Sequence, residues 1–351
     1  LNADQPADST PFAGLTPSVV LDALDAVGLR GDGRVLQLNS YENRVFQVFL
    51  EDGTAVVPKF YRPGRWSDAQ ILEEHAFALE LAAAEIPVVA PLTLTPAAGA
   101  VAEARVSDAT LAHVEIDGRV WRFGVSPRRA GQAPDLDNPH TLSWIGRFIG
   151  RIHAVGATRP FAHRRRLDVA TLGQASLDWL AAHDTLPHDV ATRWHDTAQA
   201  ALAQARAAFD DCADMATVRL HGDCHPGNLL WTAQGPHFVD LDDAMNGPAI
   251  QDLWMLLAGE RDAMATGLTA LLGGYEAFAE FDRRALALIE PLRTLRMVHH
   301  SAWLAQRWQD PAFPIAFPFF EGSAYWSQQL IQLREQQQAM AEPPVSLRFG
   351  G

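Results

Sequence analysis

The sequence predicts an α+β fold in two lobes: a small antiparallel β lobe over residues 1–125 and a large helical lobe over 137–351, with a linker at 126–136. Three observations predict it. Short apolar runs broken by turn residues fill the first third of the chain. At "VSPRRAGQAPDLDNP" the composition changes to proline, glycine and charge, a linker signature. After it, apolar residues recur at three- and four-residue spacing over long segments.

The elements follow in order. Residues 17–29 form an amphipathic helix, with Pro17 at its start and Gly28 after it. "VLQL" and "RVFQVFL" are strands joined by the turn "NSYEN", and "EDGT" is a second hairpin turn leading into "AVVPKFY". "SDAQILEEHAFALELAAAE" is a helix capped by Ser67 or Asp68. Residues 86–125 hold further strands, with turns at Ala97–Gly99 and Asp117–Gly118. In the second lobe, helices are expected at 140–156, 176–183, 188–209, 248–258, 262–280, 283–308 and 323–341. Short strands over 217–243 interrupt them.

Composition narrows the classes of function. The 351 residues are 48% apolar and 20% charged, the profile of a globular protein with room for a sizeable core. No run approaches the ~18 apolar residues of a membrane span, and the N-terminus lacks a basic-then-apolar signal pattern. Two cysteines make neither a disulfide framework nor a CxxC metal pair. A net charge of −14 argues against nucleic acid as a partner, because phosphate contacts need Lys and Arg. The expectation is a cytoplasmic monomer with no membrane or nucleic-acid partner. Among 28 Lys and Arg, only Lys59 is lysine. A site needing a compact ammonium does not accept the wider, forked guanidinium, so Lys59 is a candidate site residue.

The chemistry concentrates at "LHGDCHPGNLLW" and "HFVDLDD". Asp223 and Asn228 stand five residues apart across a Pro–Gly turn, and Asp240 emerges from an apolar strand. A carboxylate and an amide oxygen are hard ligands of the kind Mg²⁺ takes. A further carboxylate is then free to orient a hydroxyl and accept its proton. Turn-forming Asp and Asn in hairpins explain any one of these residues, but poorly explain three in one 18-residue window between apolar strands.

"LHGDCHPGN" followed by "FVDLDDAMNGPAIQDLWMLL" resembles the catalytic segment of the aminoglycoside phosphotransferase and choline kinase branch of the protein-kinase-like fold. "LNSYENRVFQ", "KFYRPGRW", "QILEEHAFALELAAAEIPV" and "RWQDPAFP" extend the resemblance over about residues 15–345, to atypical bacterial serine/threonine protein kinases of stress response within that branch. It implies a two-lobed kinase using ATP and Mg²⁺, with a protein Ser/Thr hydroxyl as acceptor. Asp223 is then the catalytic proton acceptor. Asn228 and Asp240 hold the metal on the phosphates, and Asp240 counts as catalytic with Asp223. Lys59 reaches the phosphates and Glu74 pairs with it, Glu73 being the adjacent alternative. Ser40 covers the phosphates from a turn that lacks GxGxxG. Asp252 of "QDLW" braces the catalytic loop from a helix start. Two other classes stay open: a small-molecule alcohol kinase acting on homoserine, choline or an aminoglycoside, and a nucleotide-binding scaffold without catalysis.

Three further expectations concern surroundings. Pro58 cannot donate to a ladder, so it predicts that Lys59 lies on an edge or a shifted register. "HRRRL" at 163–167 reads as a solvated basic run. The tryptophans of the second lobe read mostly as core, with Trp303, Trp308 and "DPAFPIAFPFF" as candidates for a substrate groove.

Overall fold

The computed structural model describes residues 10–347. The chain divides into two compact units, one of the described residues up to Gly131 plus His237–Asp242, the other of Gln132–Pro236 plus the described residues from Asp243 onward.

The first unit opens with α1 (Pro17–Asp25), whose first turn is capped by Thr16. The hairpin strands β1 (Gly31–Gln37), β2 (Arg44–Leu50) and β3 (Ala55–Phe60) follow, then α2 (Asp68–Ala83). Ser67 is the cap of α2. Its hydroxyl accepts from Gln70 N while the Gln70 side chain accepts from Ser67 N, a reciprocal capping box. β4 (Ala104–Ser107), β5 (Leu111–Ile116) and β6 (Arg119–Pro127) complete one six-stranded antiparallel sheet, in the order β1-β2-β3-β6-β5-β4. Its buried face packs Phe46, Phe60, Trp121 and Phe123 with Val20 and Leu24 of α1. The strands expected from residue 86 begin only at Ala104. Pro87, Pro91 and Pro96 remove donors across the intervening segment, which is tied instead by single bonds such as Leu92 N to Val125 O at 2.7 Å.

The expectation for Pro58 is corrected. β3 is an interior strand, paired without interruption to β6 through Pro58↔Val125 and Lys59↔Gly124. Tyr61 N donates to Arg122 O, so alternation directs the Lys59 N–H toward β6 and the missing N–H of Pro58 toward β2. On that side the pairing runs Val45↔Lys59, then resumes at Val48↔Val56 in the same register. The proline therefore costs one rung of the β2 ladder and leaves Lys59 in register.

The second unit contains α3 (Pro139–Gly156), α4 (Ala175–Ala182) and α5 (His188–Asp210). The short strands β7 (Val218–Leu220), β8 (Leu229–Thr232), β9 (Gly235–Phe238) and β10 (Met245–Gly247) come next, the last two residues of β9 counting with the first unit. β7 and β10 pair antiparallel. Then follow α6 (Gln251–Trp254), α7 (Arg261–Tyr275), α8 (Ile289–Gln306), α9 (Ala312–Ala316) and α10 (Ser323–Ala341). Three helices are shorter than the periodicity predicts. The expected 262–280 helix ends at Tyr275. The expected 248–258 helix is one turn, because the chain turns away after Trp254 and Gly259 takes φ 83°. The expected 283–308 helix starts as a 3₁₀ segment, and α8 proper begins at Ile289, which puts Pro291 in the first turn, where its missing donor is not needed.

The 163–167 run is solvated only in part, at His163 and Arg166. Arg164 is buried and donates from Nε to Ala244 O at 2.8 Å, and the backbone around Arg166 bridges to Asn246 of β10. Trp194 and Trp326 are fully buried and meet edge-to-face with centroids 5.4 Å apart.

α3 and α7 approach closely enough that a Cβ on Gly146 would collide with the Leu271 carbonyl. Gly146→Ala is expected to cost about 1–3 kcal/mol of overpacking, read as a lower urea midpoint with an unchanged slope. An unaltered midpoint means the helices can separate freely.

Candidate active site

The loop after β7 carries Asp223. Gly222 precedes it at φ 88°, and a side chain there would strike the Asp243 carbonyl. Only glycine meets both conditions. The loop is held by Asp252, at the start of α6 and 1% exposed. Its Oδ2 accepts from His221 N at 2.7 Å and its Oδ1 from Gly222 N at 2.8 Å. His153 of α3 places Nε2 3.0 Å from the same carboxylate, while its Nδ1 lies 3.1 Å from the Tyr275 hydroxyl. Gln251 adds a bond from Nε2 to Gly222 O at 2.8 Å. Asp252 thus braces the loop, as its position in "QDLW" predicts.

Asp223 itself is met by Arg296 of α8, whose Nη1 donates to Oδ1 at 2.7 Å. His225 accepts from Gly227 N through Nδ1, so its other nitrogen carries the proton and faces Asp223 Oδ2 at 3.5 Å. Burial pushes the Asp223 carboxyl up, but the His225 hydrogen bond and the Arg296 charge outweigh it and hold the group well below the usual carboxylate range. Asn228 donates from Nδ2 to Asp223 O at 2.9 Å, which leaves its Oδ1 as a hard oxygen donor.

The other predicted residues meet in the first unit. Lys59 Nζ lies 2.7 Å from Asp240 Oδ1 and 3.9 Å from Asp242 Oδ1. Burial alone would lower the Lys59 pKa; the charges of Asp240, Asp242 and, more weakly, Glu74 prevail and hold it well above the usual lysine value. Of the two adjacent glutamates, Glu74 is the buried one and the one whose charge favours the ammonium. Asp240 stands in the left-handed region at φ 62°, a conformation short polar side chains tolerate, and remains 51% exposed. Ser40 lies half-buried in the 39–43 turn.

Polar side chains outside the sequence-predicted site hold that turn. Asn43 is buried, donating to Asp242 Oδ2 at 3.1 Å and accepting from Arg62 N at 3.1 Å. Arg62 also donates to the carbonyls of Glu42 and Tyr41, and Arg65 pairs with Asp242 and Glu42. A signal was present: "VDLDD" holds more carboxylates than a metal and a base require, and "YRPGR" supplies two arginines close after Lys59. Arg296 had none, since it is one of two arginines on a long helix with no motif around it.

Each unit holds an oxygen donor of the kind a hard divalent cation takes. Asp240 offers a half-exposed carboxylate and Asn228 an amide oxygen, both suited to Mg²⁺. No cluster of three or more His, Cys, Asp or Glu suited to a metal occurs among the described residues, so His221, Cys224 and His225 make no zinc set.

The fold, with an HGD loop braced by a buried aspartate in the second unit and a lysine–aspartate pair in the first, is that of a phosphotransferase of the protein-kinase-like class. Residues 34–289 match the phosphotransferase enzyme family, and the chain belongs to it. It is 41% identical to the stress response kinase A of Salmonella choleraesuis over 352 residues, 96% of this chain and 97% of that one. It is equally similar, over the same shares, to a Salmonella typhimurium protein named serine/threonine protein kinase RdoA. Among solved structures it resembles an amicoumacin kinase in complex with AMP-PNP, Ca²⁺ and Ami, with TM-score 0.67 over 94% of each chain at 19% identity. That likeness is one of fold. No described helix is long and apolar enough to cross a membrane.

The depressed Asp223 pKa has a definite sign. Its contribution to stability is complete above the unfolded carboxylate value of about 3.9 and is lost as pH falls through the lower folded value. Arg296→Gln removes one of the two stabilising partners, so the Asp223 carboxyl should titrate at higher pH. Carboxyl ¹³C NMR reads this directly; an unmoved titration refutes the part given to Arg296.

Proposed function

We propose that this chain is an ATP- and Mg²⁺-dependent serine/threonine protein kinase, acting in bacterial stress response. The observation that carries the reading is Asp223: a carboxylate kept ionised in a loop whose backbone is pinned by Asp252. The names of the 40–41% identical relatives support the protein acceptor and the stress role, and the AMP-PNP and Ca²⁺ of the solved relative support a nucleotide with a divalent cation.

In this reading the second unit supplies the acceptor chemistry. Asp223 accepts a hydrogen bond from the acceptor hydroxyl and orients its oxygen. Because its pKa is low, it takes the proton late, as the bond from oxygen to the γ-phosphorus forms and the bond to the ADP oxygen breaks. The first unit supplies phosphate handling: Lys59 as a compact cation, Asp240 as a ligand, and Ser40 with the backbone of its turn over the phosphates; the second unit adds Asn228 as the other ligand. Glu74 keeps Lys59 charged. A bound Mg²⁺ would neutralise charge on the phosphates. Residues 126–136 act as a hinge whose backbone groups receive the adenine.

The alternative is a small-molecule alcohol kinase, a reading favoured by the amicoumacin kinase likeness of fold. Radiolabelled ATP offered with protein, and separately with homoserine, choline and an aminoglycoside, separates the two. Label in protein alone supports the proposal, and label in a small alcohol alone replaces it.

Asp223→Asn should preserve Mg–ATP affinity by calorimetry while turnover drops by more than the ~10²–10⁴-fold of general base catalysis, since hydroxyl orientation is lost as well. Near-parental turnover removes Asp223 from its role.

Lys59→Arg tests the lone lysine. The charge stays, but the guanidinium is wider and seeks a forked partner. A phosphate displaced by about 1 Å can cost roughly 10²-fold in rate. We expect a modest change in ATP affinity and a steep fall in turnover; parental turnover means that any cation serves.

A further inference from the structure

Arg296 spends one N–H donor on Asp223 and is 48% exposed. A guanidinium has five such donors. No other hydrogen bond of this side chain occurs among the described residues. Its remaining donors therefore stand beside the proton acceptor with no protein acceptor assigned to them.

The same face of α8 continues at helical spacing. His300 is one turn on, Trp303 a further turn and Arg307 at the helix end. His300 stacks on Trp303 with centroids 5.6 Å apart, and the Arg307 guanidinium lies 5.7 Å from the same indole. Crowding by the surrounding protein, and then the Arg296 charge, lower the His300 pKa, so His300 is neutral at pH 7. Phe313 and Phe317 pack edge-on against Trp303 at 5.0 and 5.7 Å and back the indole. Trp303 is thus a fixed aromatic surface with cations at both ends of the row. This row is basic on a chain whose net charge is −14.

We infer that the α8 row headed by Arg296 is a specificity site for an acceptor whose hydroxyl is flanked by carboxylates, namely a serine or threonine in an acidic peptide segment. The inference rests on the kinase reading above and names its substrate class. An acidic neighbour of the hydroxyl takes up the outward donors of Arg296 while the hydroxyl bonds to Asp223. A cationic acceptor of the choline or aminoglycoside kind would meet the like charge of Arg296 beside Asp223. Selection of this sort acts as much by rejecting the wrong charge as by attracting the right one.

The test uses the full chain, labelled ATP with Mg²⁺, and three peptides with one serine flanked by Asp and Glu, by Ala, or by Arg. The acidic peptide should show kcat/KM about tenfold or more above the alanine peptide, the size of a charge-assisted hydrogen bond, and the arginine peptide should be poorest. Arg296→Lys should keep that order with a raised KM. Arg296→Glu should invert it, making the arginine peptide best. A parental preference for the alanine or arginine peptide overturns the inference and leaves the kinase reading intact. So does an equal fall for all three peptides in Arg296→Glu, which makes Arg296 only a holder of Asp223. A free hydroxy acid used far better than any peptide supports the anionic preference and refutes the protein acceptor. If neither peptides, hydroxy acids nor the chain itself take label, both readings fall.

Discussion

A carboxylate taken out of water must be given donors, and Asp252 is given three. Without them its burial would cost several kcal/mol; with two backbone N–H groups and an imidazole it becomes the fixed point of the second unit. The dependence runs outward from there. Gly222 can hold its left-handed turn because its N–H is anchored, and the turn sets where Asp223 emerges. His153 reaches in from α3 with its other ring nitrogen against the Tyr275 hydroxyl of α7, so the helix pair that packs through Gly146 also supports the loop.

Asp242 plays the corresponding part in the first unit. It is buried, and its donors come from Asn43, Arg65 and, at longer range, Lys59. Three segments far apart in the sequence therefore share one carboxylate: the 39–43 turn, the β3 end with its arginines, and the strand end that carries Asp240. This explains how a turn without a glycine-rich pattern is kept in shape. Polar side chains do what glycine flexibility and backbone nests do elsewhere. Two carboxylates near one ammonium also keep Lys59 charged despite its burial.

Arg296 gives Asp223 its unusual character. In the proposed reaction a carboxylate held by a guanidinium and an imidazole is a weak proton acceptor, so its value there lies in orientation and in acting late along the reaction coordinate. Such a site depends more on geometry than on basicity, which is why rigid support from Asp252 matters.

Much of this was legible in the sequence. Period-two and period-3.6 patterns located β2, β3, α2, α3 and α5, because each of those elements buries one regular face. The HGD-x₄-N spacing singled out Asp223 and Asn228, since backbone proximity alone makes them neighbours. The lone Lys59 stood out because ammonium and guanidinium are not interchangeable. Tertiary structure decided the rest. Pro58 in an interior strand is acceptable only because its missing N–H faces an interrupted stretch of the β2 ladder, and strand order is not written in local pattern. Arg164 looks solvated until Ala244, just before β10, lies beside it. Asn43 and Arg65 reach Asp242 across 199 and 177 positions, and Arg296 reaches Asp223 across 73, and a pairing across such distances leaves no periodicity or spacing for a sequence to display.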